Sequence, residues 1–295
     1  MDRTKKATIR EALKWASSRL QNNNIPEAEI SAEVLLRYIL EIDRTRLFMS
    51  LNQPLTSEDW YKFEDVVNRR SSGEPLQYIV GWQEFYGLPF KVNRDVLIPR
   101  PETEVLVEEI CKASKRTWQG TSDHALVAAD IGTGSGAIAV SLARMNRRWN
   151  IIAVDMSLSA LQVARENAVL NGVERQISFF HGDLLQPIKQ QGIKLDILVS
   201  NPPYIPTKEV ELLHPQVKKF EPIRALDGGE TGLYFYQRLI EDLPHVMKEP
   251  GLVGFEVGMG QADQVVNALG QWKKIKKIEK IKDLQGIERV VLASI

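Results

Sequence analysis

Leu126-Val127-Ala128-Ala129-Asp130-Ile131-Gly132-Thr133-Gly134-Ser135-Gly136-Ala137 is the stretch that decides how this chain folds. A strand-like apolar run over 126–131 ends in three glycines and opens directly into the helical pattern Ala137–Met145. Glycines at such a junction let the chain turn sharply and let its backbone approach a ligand closely. Working outward, residues 151–155, 176–180, 195–199 and 252–257 also read as strands. A second helical pattern over 159–170 is stopped by Asn171-Gly172, a pair suited to a left-handed cap. This alternation predicts an α/β fold with a parallel sheet covered on both faces. The tail differs. Residues 274–282 and 289–293 are strand-like and flank Asp283-Leu284-Gln285-Gly286, which predicts a closing antiparallel hairpin.

Nineteen residues past Gly136, Asp155 ends the next strand, where its carboxylate can accept from both hydroxyls of a ribose. Glycine turn and acid together predict a nucleoside-binding crevice. The turn alone leaves the nucleoside open. Gly132, Gly134 and Ala137 satisfy the dinucleotide pattern that binds NAD. Gly132-Thr133-Gly134-Ser135-Gly136 equally fits the glycine turn of S-adenosylmethionine-dependent methyltransferases, with Asp130 just before it. His181-Gly182-Asp183 closes the third strand, where Asp183 can accept from an adenine amine and Leu184 can offer backbone and an apolar wall. A plain polar loop with an Asp-turn is the competing reading.

Asn201-Pro202-Pro203-Tyr204 breaks the tie. It follows the buried-type run 195–199 and makes a short, stiff clamp, since each proline fixes its own φ and restrains the residue before it. One side-chain carbonyl and one main-chain carbonyl there can accept both hydrogens of a planar NH2 group, and Tyr204 offers a flat face. A reductase has no use for such a clamp beside its cofactor. A methyltransferase acting on a planar nitrogen does, because two acceptors orient the nitrogen and favour the positive charge that develops on it.

Ahead of the sheet region the texture is helical. Ile9, Ala12, Leu13, Ala16 and Leu20 recur at helical spacing, as do Ala32, Leu35, Leu36, Ile39 and Leu40. A third helix starts near Thr56-Ser57-Glu58 and runs through Trp60, Phe63, Val66 and Val67. Residues 78–82 and 84–92 read as short strands with glycine turns, and Pro101 suits the first turn of a following helix. The expected division is a helical domain over 1–75, a β-hairpin linker over 76–98, and a sheet domain over 99–295. The 295 residues carry zero net charge, unlike a protein built to grip a nucleic-acid backbone. One cysteine, Cys111, excludes an internal disulfide and fits a reducing compartment. His124, His181, His214 and His245 lack metal-ligand spacing, so no metal is expected. Residues 1–6 lead into an amphipathic pattern rather than an apolar leader, and no run is long enough to span a membrane. The expectation is a soluble cytoplasmic protein.

Taken together, the chain resembles the protein-(glutamine-N5) methyltransferases that modify peptide chain release factors (PrmC/HemK type). The resemblance spans nearly the whole length. It includes the helical start, Gly73-Glu74-Pro75-Leu76-Gln77-Tyr78-Ile79, Ile98-Pro99-Arg100-Pro101-Glu102-Thr103-Glu104, the glycine turn, Asp155 and the clamp. It continues through Glu221-Pro222, Ala225-Leu226-Asp227-Gly228-Gly229, Gly232-Leu233, Asp283-Leu284, Gly286 and Arg289-Val290. It implies a seven-stranded class I (Rossmann-like) methyltransferase sheet, with the small helical domain helping to dock class I release factors. The implied substrate is the glutamine of their Gly-Gly-Gln motif. Gly132, Thr133, Gly134, Ser135, Gly136, Asp155, Asp183, Leu184 and Asn201 would hold S-adenosylmethionine, leaving S-adenosylhomocysteine as product. Asn201, Pro202, Pro203 and Tyr204 would hold the glutamine amide, with Asn201, Pro202 and Tyr204 catalytic. Some relatives carry an aromatic residue where this chain has Leu184. Arg100, Glu102 and Glu221 either shape the substrate channel or pair as surface charges.

The rivals are a ribosomal-protein glutamine methyltransferase, an adenine-N6 DNA methyltransferase and a non-catalytic adaptor. The DNA enzyme predicts a basic recognition region. Residues 1–100 hold 15 Lys/Arg against 14 Asp/Glu, and the run Lys273-Lys274 with Lys276-Lys277 alternates with isoleucines as a solvated strand edge would. No stable nucleic-acid or membrane partner is expected.

Overall fold

The computed structural model describes residues 7–119 and 125–295. The readings made on residues 1–6 and on His124 lie outside the described residues. The chain forms two compact units. One runs to Gly81 and also takes in His214–Phe220; the other holds Trp82–Leu213 and Glu221–Ile295.

In the first unit, α1 (Ile9–Asn22), α2 (Ala28–Leu40), α3 (Arg44–Met49) and α4 (Ser57–Ser71) follow the apolar periodicity. Thr8 and Glu11 close a reciprocal capping box on α1, and Thr56 caps α4 by accepting from the Asp59 N–H. Leu20, Leu35, Leu36, Leu47, Phe63 and Val67 are fully buried between the helices. Residues 78–82 do not continue as a strand. Leu76–Val80 is instead a short helix, α5, that starts after Pro75 and is ended by Gly81 in the left-handed conformation. Burial decided it: Ile79 fills the helical core, and an apolar run of this length fits either structure. Arg70 is only 4% exposed. Its guanidinium donates to the Glu74 carbonyl at 2.9 Å and to Gln216 Oε1 at 3.1 Å, which stitches His214–Phe220 into this unit.

The second unit opens with an antiparallel hairpin, β1 (Trp82–Phe85) and β2 (Leu88–Lys91), turning on Tyr86-Gly87 at φ of 53° and 70°. Helix α6 (Thr103–Thr117) starts two residues later than Pro101 suggested. Hydrogen bonds of three-residue spacing, from Thr103, Glu104 and Val105 to Arg100, Pro101 and Glu102, form a tight lead-in turn. The main sheet contains β3 (Val127–Ile131), β4 (Asn150–Asp155), β5 (Ile177–His181), β6 (Leu195–Ser200), β7 (Met247–Glu256), β8 (Lys277–Lys282) and β9 (Glu288–Ser294). Their order is β5-β4-β3-β6-β7-β9-β8, parallel except for the terminal hairpin.

Helices α6, α7 (Ala137–Met145) and α8 (Leu158–Leu170) cover one face, packing on Ala128, Ile151, Ile197 and Val199. Helices Tyr234–Val246 and Ala262–Gly270 cover the other, packing on Ala129, Ile131, Leu198 and Val253. Strand order reverses between β3 and β6, so the crevice beyond their carboxyl ends is where such sheets bind ligands. The glycine turn and the Asn-Pro-Pro-Tyr clamp are the two segments that leave the sheet there.

Candidate active site

An open cleft lies at that switch point. Gly132, Thr133, Gly134 and Ser135 line one part of it, as do Asp155 with Met156 and Asp183 with Leu184. Asn201, Pro202 and Pro203 line another. The Ser200 hydroxyl donates to the Ile131 carbonyl at 2.6 Å, fixing the clamp's exit beside the start of the glycine turn.

The glycine turn is tied down before any ligand arrives. Gly132 and Thr133 both donate to the Val154 carbonyl, at 2.9 and 3.0 Å. Asp155 accepts from the Gly134 N–H at 2.9 Å and the Ser157 N–H at 2.8 Å. Burial raises its pKa, while these N–H groups and the nearby Arg224 favour the charge. Asp130 is 1% exposed. Its Oδ2 accepts from Thr133 Oγ1 at 2.6 Å and the Ala139 N–H at 3.1 Å, and its Oδ1 has no partner. Burial pushes that carboxyl up to about 7. Gly136 does not line the cleft. A Cβ there would lie 3.1 Å from Ala164 Cβ, so this glycine lets α7 pack closely on α8.

At the third strand's end, Asp183 lines the cleft but is already engaged: Arg238 grips it with two hydrogen bonds, of 3.2 and 2.5 Å. Leu184 adopts a left-handed φ of 48° and lines the cleft while packing on the core behind it. His181 Nε2 lies 3.0 Å from the Met156 carbonyl. Among the described residues, no group of three His, Cys, Asp or Glu side chains is placed to hold a metal ion.

In the clamp, Asn201 Nδ2 donates to Thr103 Oγ1 at 3.2 Å. Pro202 is buried. Tyr204 is absent from the cleft lining, and its ring packs against the core. Burial pushes its hydroxyl up to about 12. Its carbonyl accepts from Gln261 Nε2 at 2.8 Å, and Gln261 Oε1 accepts from the Gly258 N–H at 3.0 Å.

A second glycine loop presses on the clamp from outside. A Cβ on Gly228 would meet the Pro203 carbonyl at 2.7 Å, and one on Gly232 would collide with the Tyr204 carbonyl. This gives a local reason for the glycines near 228–232. Gly232→Ala adds that collision to a φ of 75°, so a loss of about 2–4 kcal/mol is expected. Chemical denaturation with a parallel methylation assay checks it; unchanged stability would show that the loop yields.

Arg100 lines the cleft and donates to Glu221 at 2.6 Å. Glu221 has a side chain only 1% exposed, with Oε2 unpartnered, so the surface-pair reading fails for these two. Met156, Arg224 and Phe235 also line the cleft and had no role in the sequence reading. Only Met156 had a local signal, as the residue after the ribose acid. Part of the lysine run is paired at the start of β8: Lys274 and Lys276 share Glu249, each at 3.4 Å, and Lys277 reaches Glu279 at 2.9 Å. No helix among the described residues is long and apolar enough to cross a membrane.

Comparison with known proteins bears on this geometry. Residues 11–81 match the PrmC N-terminal domain and residues 103–218 the methyltransferase small domain. The chain is 43% identical over 285 residues to a release factor glutamine methyltransferase of Bacillus cereus, covering 97% of this chain and 98% of that one. It is 43% identical to the Bacillus subtilis protein of that name (98% of each chain) and 39% identical to the Geobacter sulfurreducens one (96% and 95%). Among solved structures, the hMettl16 catalytic domain in complex with MAT2A 3'UTR hairpin 1 has the same fold. Its TM-score is 0.55 at 14% identity, over 88% of this chain and 90% of that one. The chain therefore belongs to the release factor glutamine methyltransferase family.

Proposed function

We propose that this protein transfers a methyl group from S-adenosylmethionine to the side-chain amide nitrogen of the Gly-Gly-Gln glutamine of class I peptide chain release factors. The observation that carries the reading is Asn201, whose Nδ2 is held by Thr103 at the mouth of β6, in the same cleft as the glycine turn. With that end anchored, Oδ1 is the free end of the side chain. Together with the Pro202 carbonyl it accepts the two N–H groups of the substrate amide.

The cleft has the parts that S-adenosylmethionine asks for. Asp155 lines the cleft and can accept from a ribose diol, while Asp130, buried behind the glycine turn and outside the cleft lining, carries an unpartnered Oδ1 whose charge favours a nearby ammonium. Leu184 and Met156 are apolar walls for a base, and Asp183, held by Arg238, keeps lone pairs for its amine. When bound, the cofactor supplies an electrophilic methyl group on a sulfonium. The protein's part is to orient a poor nucleophile. An amide lone pair is delocalised into its carbonyl, and two acceptors on its N–H groups draw electron density back onto nitrogen. They also stabilise the charge that grows there, an effect of about 3 kcal/mol per well-placed group. The alkylated nitrogen is acidic and gives its proton to water, so no strong base is required. The helical unit serves to dock the release factor.

Incubation with labelled S-adenosylmethionine and, separately, release factor, ribosomal protein and duplex DNA tests the reading. One methyl on the release-factor glutamine is expected. Label on the ribosomal protein alone or on DNA alone would overturn it.

A further inference from the structure

Glu256 ends β7 with 2% of its surface exposed, directly beside the clamp. Ser200 lies opposite Phe255 in the register of β6 and β7, so Asn201 and Glu256 leave the sheet side by side. Its Oε2 has no hydrogen-bond partner, and the nearby Tyr236 hydroxyl donates to the Glu256 main-chain carbonyl instead, at 2.7 Å. Thr103 and Asn201 are the polar side chains beside it that favour its ionised form. A fully buried carboxylate with a spare oxygen is costly to keep, and packing alone does not call for one here.

The direction of the hydrogen bonds gives it a use. Thr103 Oγ1 accepts from Asn201 Nδ2, so its own proton is free to be given elsewhere. An ionised carboxylate can only accept. With Glu256 charged, both the Asn201 amide N–H groups and the Thr103 proton are drawn toward it, and Oδ1 is the end left for the cleft. With Glu256 protonated, the acid can donate to Thr103 and Thr103 to Asn201. The Asn201 amide is then free to turn over, presenting Nδ2 to an incoming NH2 group that needs an acceptor.

We propose that Glu256 is a positioning residue that sets the hydrogen-bond polarity of Asn201, directly and through Thr103, so that Oδ1 rather than Nδ2 meets the substrate amide. The proposal rests on the reading that Asn201 holds the glutamine amide. The groups facing Glu256 are Arg289 from β9, which favours its charge, and Glu102 from the turn before α6, which opposes it. Tyr204 and Tyr236 face it as neutral phenols. Burial outweighs them all and pushes the carboxyl up to about 7. The competent, ionised form is therefore lost as pH falls through that value.

The test uses the full-length protein with S-adenosylmethionine and release factor, comparing wild type, Glu256→Gln, Thr103→Val and Thr103→Ser. Glu256→Gln and Thr103→Val are expected to lower kcat on the order of ten- to a hundredfold. Their affinity for S-adenosylhomocysteine should stay within about twofold of wild type by calorimetry. Thr103→Ser, which keeps the hydroxyl, should restore most of the rate. The Glu256→Gln, Thr103→Val double variant should be no slower than Glu256→Gln alone, because the Thr103 route ends at Glu256. In the wild type, kcat should fall on the acid side of about pH 7, and this limb should vanish in Glu256→Gln. A Glu256→Gln enzyme that keeps the wild-type rate and acid limb, or Thr103→Val as fast as Thr103→Ser, overturns the proposal. A wild-type protein inactive on release factor refutes the proposed function instead.

Discussion

Asn201→Ala is expected to lower kcat for glutamine methylation on the order of a hundred- to a thousandfold. The substitution removes Oδ1 as an acceptor and leaves Pro202 as the remaining carbonyl of the pair. It also strips Thr103 of its hydrogen-bond donor, so part of the loss is disorder in the clamp rather than missing charge stabilisation. Because the glycine turn and Asp155 are untouched, S-adenosylhomocysteine affinity should change far less than kcat. Asn201→Asp is the sharper control. It keeps the shape and two acceptors, but places a second carboxylate beside buried Glu256 and faces Thr103 with an acceptor. It should recover little activity. Steady-state kinetics with calorimetry on both variants decides it; an Asn201→Ala enzyme within tenfold of wild type would remove Asn201 from the chemistry.

Asp130→Asn is expected to make the protein more stable and a poorer binder at once. Its carboxyl titrates at about 7 in the folded chain against a usual 3.8. An acid whose pKa is raised by folding costs stability as pH rises from the unfolded value through the folded one. At pH 8 that cost is fully present and amounts to about 4 kcal/mol at 1.36 kcal/mol per unit. Asparagine carries no charge to bury, so the wild-type decline in stability between about pH 4 and 7 should shrink in the variant. If the Asp130 charge draws the cofactor's ammonium through the glycine turn, affinity for S-adenosylhomocysteine should fall about tenfold in the variant. In the wild type it should weaken as pH drops below 7. Denaturant melts and calorimetry across pH test both halves. Unchanged affinity would assign Asp130 to shaping the turn through Thr133 and Ala139 alone.

The sheet region was legible because its signals are local. A strand such as β3 is a short apolar run, α7 keeps helical spacing, and glycines mark the junction between them. The cleft-forming glycine turn, Asp155 and the clamp all sit at strand ends, where order along the chain dictates position. Three things were not legible, each because a distant packing partner decides it. Leu76–Val80 is helical because Ile79 completes the helical core. Tyr204 packs on the core outside the cleft lining, with a glycine loop and Gln261 closing over its backbone from the far side. Glu256 meets Thr103 and Asn201 only through the pairing of β6 with β7, and a glutamate ending an apolar strand carries no mark of that.

The placement of His214–Phe220 within the helical unit bears on how this protein is made. During synthesis the helices α1 to α5 emerge first, yet the unit they form is finished by residues that follow β6. Until Gln216 arrives, the Arg70 guanidinium lacks one of its partners in a buried position. A chain cut after Gly81 would leave the buried Arg70 guanidinium with the Glu74 carbonyl but without Gln216, so the helices and a segment far along the chain are completed together.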